Sequence, residues 1–432
     1  MTPALADVSE GDLRWWRGDR GGAVAEYRAA LAAADGSPEG LAAETMARIR
    51  LLQLSGNLAP FVHEPKLDRA LAACPRTSAW CRLAEADAEL FLPAFTGADP
   101  GRVAALLRGD DGGPARARRV AAGEDPTLLR DRDDLDGMGL GIRETGRLRP
   151  ASPGTWVLNL GVGGAPGAGV GGLVRFVHPD VGWRADRLDV LAGGDTRGGA
   201  FVSGAFARPG RWSATATAAR AVGDAWLAGE PYRYEVGTLR ASAAWIPARR
   251  GVSAQVGASA RADRYGEAWY AVAGPLASVT IGDRVAYTRL GADVGFGDYT
   301  HLAVSSDTRA YPAVLGGTLA TRALLTHVPT RETPFFRLPS AGGTDLLRGE
   351  PAGRYRDDTV FGGQAEYRRV VHDPVGVAVF ADVAWVDAWH ATLGGGVRLV
   401  LPPAETNTTR LDVGWSPETG AWGVVAAWGE AF

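Results

Sequence analysis

The chain contains residue types that enzymes and metal sites use, but their spacing fits neither kind of site. Six histidines, which could bind a metal or act as bases, show no ligand spacing: His63, His178, His301, His327, His372 and His390. No Gly-x-Ser-x-Gly sequence is present to hold a nucleophilic serine at a sharp turn. Gly167–Gly172 has the form of a dinucleotide fingerprint, but no helix is predicted after it, so we interpret it as a strand turn. The sequence therefore predicts no enzymatic activity, no metal and no cofactor.

Carboxylates on one face of predicted strands are stronger candidates for a functional role. Around residue 380 the outward parity belongs to apolar residues: Val377, Val379, Ala381, Val383 and Trp385. Asp382 therefore faces the other side, and Glu366 shares the corresponding side of its own segment with Gln364 and Arg368. A carboxylate in a confined, partly dry space needs a cation. The planar guanidinium of arginine suits it because two nitrogens can bind at once.

These positions require strands, and the chain after Gly154 alternates with a period of two. In residues 251–262 the even positions are apolar and the odd positions are polar or small. Sixteen segments of this kind are predicted: 155–161, 168–177, 184–194, 198–208, 211–220, 233–246, 251–264, 268–280, 284–296, 299–310, 315–328, 359–371, 375–386, 392–401, 406–415 and 420–431. An even strand number allows an antiparallel barrel to close. We predict a sixteen-stranded antiparallel barrel over residues 154–432, with the eighth strand weakened by Gly274-Pro275.

The two faces of these strands indicate that the barrel spans a membrane. The apolar faces consist largely of small residues, too thin for the core of a soluble sandwich, and the opposite faces carry Arg, Asp, Ser and Thr. Lipid outside and a wet lumen inside account for both faces. Tryptophans lie in or beside the strands, as an interfacial girdle requires. The expected lipid-facing set includes Leu239, Val252, Val256, Val379 and Leu411.

Average composition resembles that of a soluble protein, with a mean hydropathy of −0.07, so the lipid bilayer is expected as a partner because of the strand faces. The net charge of −3 argues against nucleic acid, which usually needs a basic face. No run of eighteen apolar residues offers a transmembrane helix. A barrel strand escapes that test because it contributes only about ten residues of alternating character.

The N-terminal part of the chain has helical spacing instead. Residues 7–130 are predicted to form an all-α domain, followed by a charged linker over residues 131–153. Helices are expected in residues 21–34, 38–55, 64–73, 78–93, 99–108 and 114–122. Ala23, Tyr27 and Ala30 resemble the second half of a tetratricopeptide repeat, in which small residues let two helices approach and an aromatic fills the groove. A generic array of helical hairpins explains the same spacing.

The two cysteines, Cys74 and Cys81, lie close together in this helical part. They suit a disulfide in an oxidising periplasm. Two small buried hydrophobic side chains would explain the pair equally well. The sequence leaves both interpretations open.

Five short features occur in order near the C-terminal end: Ala341–Glu350, Gly362–Arg368, Phe380–Asp382, Gly394–Arg398 and Arg410–Gly414. Their order and spacing resemble the BamA/TamA-type outer-membrane assembly family, also called the bacterial surface antigen superfamily. The resemblance covers about Phe335 to Phe432. It implies a sixteen-stranded barrel with a long extracellular loop that tucks back into the lumen.

The resemblance also implies a lock inside the barrel. That family's loop bears a Val-Arg-Gly-aromatic tip, and Arg348-Gly349 occupies its place here, with Glu350 in place of the aromatic. We expect Arg348 to pair with Asp382 and also with Glu366. If residues 329–358 form a surface loop instead, Arg348 is solvated.

For function, the resemblance implies an outer-membrane protein that assists insertion or translocation of polypeptides. The work would take place at a weak lateral seam between residues 155–161 and 420–431. The helical domain would lie in the periplasm and recruit a protein partner or client polypeptide, although the family's usual N-terminal modules mix strands with helices. The alternative is a passive plugged pore or surface scaffold whose helical domain binds periplasmic or cell-wall partners.

Overall fold

The protein contains an N-terminal group of helices and a closed β-barrel. A computed structural model describes residues 2–16, 19–54, 65–91, 100–110, 115, 118–119, 140–142, 148–150, 157–166, 168–181, 186–208, 212–227, 230–245, 248–249, 252–282, 286–329, 332–372, 375–400 and 408–428. None of the helices within these ranges is long and apolar enough to cross a membrane.

The described N-terminal region is helical, as the apolar spacing predicts. Its helices are α1 (Pro3–Trp16), α2 (Arg20–Ala33), α3 (Pro38–Leu54), α4 (Pro65–Ala73), α5 (Ala79–Phe91) and α6 (Pro100–Leu106). Asp19 caps α2 by accepting a hydrogen bond from the backbone N–H of Gly22, which satisfies one donor of the first turn. The helix predicted over residues 114–122 lies mostly outside the described residues.

Helices α1 and α2 pack closely because small residues face a single aromatic side chain. Ala23, Tyr27 and Ala30 on α2 are fully buried. Gly11 on α1 faces the Tyr27 ring, and a Cβ atom at Gly11 would lie 2.5 Å from it. A larger side chain at this position would push the helices apart. The tetratricopeptide likeness of the whole domain stays a prediction.

A ladder of buried charges joins successive helices. The Tyr27 hydroxyl donates to Asp12, which also binds Arg50 at 2.9 Å. Arg50 continues to Asp87 at 3.1 Å, and Arg118 binds the same carboxylate at 2.6 Å. Burial raises the pKa of the Asp12 carboxyl, while Arg50 acts in the opposite direction. The alternation of sign gives each buried charge a partner, which a low-dielectric interior requires.

A disulfide joins Cys74 and Cys81. Their Cα atoms are 5.5 Å apart, and the bond links the end of α4 to the start of α5. Of the two interpretations that the sequence leaves open, the structure selects the disulfide.

Sixteen strands form the barrel wall, and the predicted number is confirmed. They are β1 (Val157–Ala165), β2 (Gly169–Val181), β3 (Asp186–Asp195), β4 (Ala200–Arg208), β5 (Trp212–Leu227), β6 (Glu230–Trp245), β7 (Val252–Tyr265), β8 (Ala268–Gly282), β9 (Ala286–Gly297), β10 (His301–Ala310), β11 (Gly317–His327), β12 (Thr359–His372), β13 (Val375–Val386), β14 (Ala388–Val400), β15 (Thr408–Trp415) and β16 (Trp422–Trp428). Two-residue segments at 248–249 and 313–314 extend the sheet between neighbouring strands.

Each strand pairs antiparallel with the next, and β16 returns to β1 to close the barrel. The closure is uneven. β1 pairs with β2 along its whole length, and β15 pairs with β16 from Thr409 to Trp415. Between the described residues of β1 and β16 there is a single ladder pair, Gly164 with Ala426. We call this β1–β16 contact the seam.

Apolar residues face outward and polar residues face inward. Along β13 every second residue from Gly376 to Val386 is buried, and the residues between them are exposed except for the half-buried Ala381. The five residues predicted to face lipid are all exposed: Leu239, Val252, Val256, Val379 and Leu411. Exposed apolar side chains over so much of a surface are typical of contact with lipid rather than water.

At two predicted features the structure adds local detail. Gly274-Pro275 does not end β8: the ladder with β7 runs through Pro275, whereas the ladder with β9 has no pair at either residue. Proline lacks the N–H that the second ladder would need. In the predicted linker, Leu140–Ile142 pairs with Leu148–Pro150. The rest of residues 131–153 lies outside the described residues.

Candidate functional site

The connection between β11 and β12 lies inside the barrel over its described residues 332–358, and we call this segment the lumenal loop. Within it, Ser340–Ala341 pairs with Tyr355–Arg356, so the loop has a short sheet of its own. The segment beyond this sheet is buried from Leu346 to Glu350. A surface loop would leave such a segment exposed, so the alternative of a solvated Arg348 is wrong.

Arg348 is the centre of the buried segment, and its side chain is 0% exposed. Its Nε and Nη2 atoms donate to the two oxygens of Asp382 at 2.9 and 2.8 Å, and its backbone N–H donates to the same carboxylate at 3.0 Å. Nη1 binds Glu366 and lies 3.3 Å from Asp412. The guanidinium also stacks 3.6 Å above the Phe380 ring centroid. The two side-chain hydrogen bonds to Asp382 are the bidentate pairing that a planar guanidinium favours, and the stacked ring adds a cation–π contact.

The strand parity that places lipid-facing residues outside also places these partners inside. Glu366 lies on β12 and pairs in register with Phe380, two residues before Asp382 on β13. Asp412 lies on β15 and is fully buried. Three regions of the wall therefore aim a carboxylate at one point in the lumen. The predicted site residues Arg348, Asp382 and Glu366 meet there.

Further arginines bind the same carboxylates. Arg398 binds both Glu366, at 2.7 Å, and Asp412. Arg410 binds Asp412 at 2.8 Å, and Arg368 binds Glu366 at 2.8 Å. Asp412, Arg398 and Arg410 were not among the predicted site residues. Strand alternation could have identified Arg410 and Asp412. Leu411 faces outward, so the residues on either side of it face the lumen.

Gly349 allows the loop to touch the wall directly. Its φ of 111° is open to glycine but strained for other residues. A Cβ at Gly349 would lie 2.8 Å from the carbonyl carbon of Gly414 on β15. Beside it, Glu350 is buried in place of the family's aromatic and accepts a hydrogen bond from Thr419 at 3.1 Å. Arg354 lies 3.2 Å from the same carboxylate and balances its charge.

A second anchor, which the sequence analysis missed, holds the base of the lumenal loop to another part of the wall. Arg337 Nε donates to the buried Asp263 on β7 at 2.7 Å, and Nη2 donates to Thr238 on β6 at 2.8 Å. Phe335 contacts Tyr234 and Tyr265 edge-on, with ring centroids 5.3 and 5.6 Å apart. The odd parity of Asp263, which continues the polar face of residues 251–262, was the available signal.

We expect Arg337→Ala to lower the free energy of unfolding of the barrel by about 1–3 kcal/mol, because Asp263 stays buried and loses a bidentate partner. Asp263 retains Arg261, 3.4 Å away, so the loss should be smaller than at Arg348. The temperature at which the folded band disappears on semi-native gels reports this loss of stability. Arg220→Ala, which removes an ion pair whose two side chains are both exposed, is the matched control and should leave the stability nearly unchanged. An equal loss of stability in Arg337→Ala and Arg220→Ala would contradict a role of Arg337 in fixing the loop to the wall.

This arrangement can hold the loop in place against the wall. Among the described residues, no group of three His, Cys, Asp or Glu side chains could hold a metal ion. Every carboxylate at Arg348 already accepts from arginine. These contacts join the loop to the wall, and we call Arg348 with its carboxylate partners the lock.

Comparison with solved structures agrees with this architecture. BamA from Haemophilus ducreyi lacking POTRA domains 1–3 matches with a TM-score of 0.51 and 14% identity, over 67% of this chain and 74% of that chain. CdiB from Acinetobacter baumannii matches with a TM-score of 0.51 and 14% identity, over 69% and 68% of the two chains. No protein-family model matches the sequence, and neither does any curated protein. The resemblance that the C-terminal motifs carry is thus confirmed in the fold, and the chain forms a closed sixteen-stranded barrel like those of BamA and CdiB.

Proposed function

We propose that this protein lies in the bacterial outer membrane and assists the insertion or translocation of polypeptides at its seam. The observation that carries the proposal is the single ladder pair, Gly164 with Ala426, between the described residues of β1 and β16. A strand edge with unsatisfied N–H and C=O groups is a template for an incoming strand. No bond chemistry is involved.

The sequence of β1 supports a seam that opens. Gly161, Gly163 and Gly164 add no side chains that could pack across the contact. Leu158, Leu160 and Val162 point outward and are strongly exposed. An edge with an apolar outer face and little packing costs less to separate than an ordinary ladder. A client strand with the same alternation could replace β16 as the partner of β1.

The disulfide supports a periplasmic place for the helical domain. A bond such as Cys74–Cys81 persists in oxidising compartments, whereas cytosolic reductants keep thiols free. A helical domain beside the inner mouth of the barrel could collect clients or hold a partner protein. Its described surface shows no large exposed hydrophobic side chain, so we expect a polar or charged contact.

The second candidate is a passive, plugged pore or scaffold. The observation that favours it is the lumenal loop, which is anchored at both Arg348 and Arg337 and occupies the lumen. A plug of this kind would suit a protein whose task is to anchor its helical domain at the membrane. In that case the seam would never open.

Depletion of the protein from its host, followed by proteomics of the outer membrane, separates the two candidates. If the protein assists insertion, other barrels should fall in abundance while lipoproteins stay near their normal level. A barrel profile that does not change on depletion would exclude insertion and leave the scaffold. Re-expression of the wild-type chain should restore the barrels and serves as the control for indirect effects.

A further inference from the structure

The tip of the lumenal loop lies on the last two strands. A Cβ atom at Gly423 on β16 would collide with the Gly349 carbonyl oxygen, and one at Gly414 on β15 would collide with the Arg348 carbonyl oxygen. The backbones therefore touch with no room for a methyl group. Thr419, in the turn between these strands, donates to Glu350 at 3.1 Å.

Three residues further along, the same loop reaches the first hairpin. The backbone N–H of Ala352 donates to the carbonyl oxygen of Pro166 at 2.8 Å. Pro166 directly follows β1, at the end of the strand where Gly164 forms the single ladder pair of the seam. The segment 349–352 therefore contacts both strands that border the seam, or the turns next to them.

We propose that residues 349–352 form a latch that holds the seam closed at the end near Gly164 and Ala426. The latch must release the first hairpin, β1–β2, before the seam can open. The inference rests on the proposed function, because it describes the regulation of the seam at which clients would insert. The hydrogen bond from Ala352 to Pro166 and the backbone contact at Gly423 add to the ladder pair between Gly164 and Ala426 in joining the two strands.

The position of the latch next to the lock gives it a means of control. Arg348 immediately precedes Gly349, and the lock holds this residue against β13 through three hydrogen bonds to Asp382. The lock thus positions the latch on the wall. Release of the first hairpin requires only that Ala352 move, while Arg348 and Gly349 stay in place on the last strands.

Spin labels across the seam test the latch without any client. Cysteines at Val162 and Val424, which are exposed on β1 and β16, carry the labels, and Cys74 and Cys81 do not react because they are joined. Gly423→Ala should lift the tip and broaden the distance distribution toward longer distances. Gly204→Ala is the matched control, because a Cβ there meets nothing within 4 Å, and it should leave the distribution unchanged. Identical distributions in both variants would overturn the latch.

A tether covers the case in which Gly423→Ala does not fold. Oxidised Pro166→Cys with Ala352→Cys ties the loop to the first hairpin, and the insertion rate of a client barrel into vesicles should fall at least tenfold and recover on reduction. Val190→Cys with Gly204→Cys ties β3 to β4, which the latch does not contact, and should change the rate less than twofold.

The two tethers also separate the latch from the proposed function. If both block equally, or if neither does while the wild type is active, the latch is wrong and the insertion function stands. If the wild type inserts no client while the spin-label distances respond to Gly423→Ala, the proposed function is wrong and the latch stands.

Discussion

Arg348→Ala should lower the free energy of unfolding of the barrel by about 3–5 kcal/mol, because it leaves buried carboxylates without their shared cation. Asp382 is affected most, since its two oxygens bind the Arg348 side chain and its remaining described partners, the backbone N–H of residue 348 and the amide of Gln364, are neutral. Glu366 and Asp412 keep Arg398. Unfolding of the purified barrel in detergent by guanidinium, followed by tryptophan fluorescence, measures the change.

A double-mutant cycle identifies the pair. Asp382→Ala alone should also be strongly destabilising, because Arg348 would then share Glu366 and Asp412 with other arginines. The double variant should lose less than the sum of the two single losses, since neither charge is left without its partner. Arg348→Lys should recover only part of the stability, because an ammonium cannot bind three carboxylates in one plane. Arg220→Ala, at an exposed ion pair, is the control.

Strictly additive losses at Arg348 and Asp382 would contradict the lock, even though the distances between them are short. So would an effect of Arg348→Ala no larger than that of Arg220→Ala. Either outcome would mean that the loop is held by packing alone, for example by the buried Leu346 and Leu347.

Much of the barrel could be predicted because strand parity carries direct physical information. A one-residue slip would place lipid-facing side chains such as Val379 in the lumen, so the alternation determines both the strands and their inner faces. The same alternation places Glu366 and Asp382 inside. It could not show that they converge, because convergence depends on the register between β12 and β13, which pairs Asp382 with Gln364.

The parts that escaped prediction depend on contacts between distant segments. Arg337 meets Asp263 and Thr238 only because the base of the loop crosses the lumen to β6 and β7. Nothing in the local spacing of Arg337 indicates that path. The disulfide could not be predicted for a similar reason. Two cysteines near each other in sequence form a bond only when α4 and α5 bring their Cα atoms together.

The second large effect, a loss of insertion, is expected when the seam is closed by a disulfide. Gly164→Cys with Ala426→Cys places two cysteines at the single ladder pair between β1 and β16. Once oxidised, this bond prevents the strands from separating, so no client strand can pair with β1. Insertion should then stop nearly completely. Because a Cβ atom at Gly164 would lie 2.7 Å from the carbonyl oxygen of Gly169, the reduced form of the same variant must show the wild-type rate.

The control is a disulfide across an ordinary ladder. Val190→Cys with Gly204→Cys joins β3 and β4 at a registered pair far from the seam in strand order. It should leave insertion unchanged, because those strands are not expected to part. The wild-type chain, carried through the same oxidation and reduction, accounts for any effect of opening Cys74–Cys81.

The most direct measurement of the central claim is the rate at which a purified client barrel folds into vesicles that contain this protein, with the seam cysteines first oxidised and then reduced. We expect the oxidised seam to give the slow rate of empty vesicles, and reduction to restore the wild-type rate. An oxidised seam that still accelerates folding as well as the wild type would contradict insertion at β1 and β16.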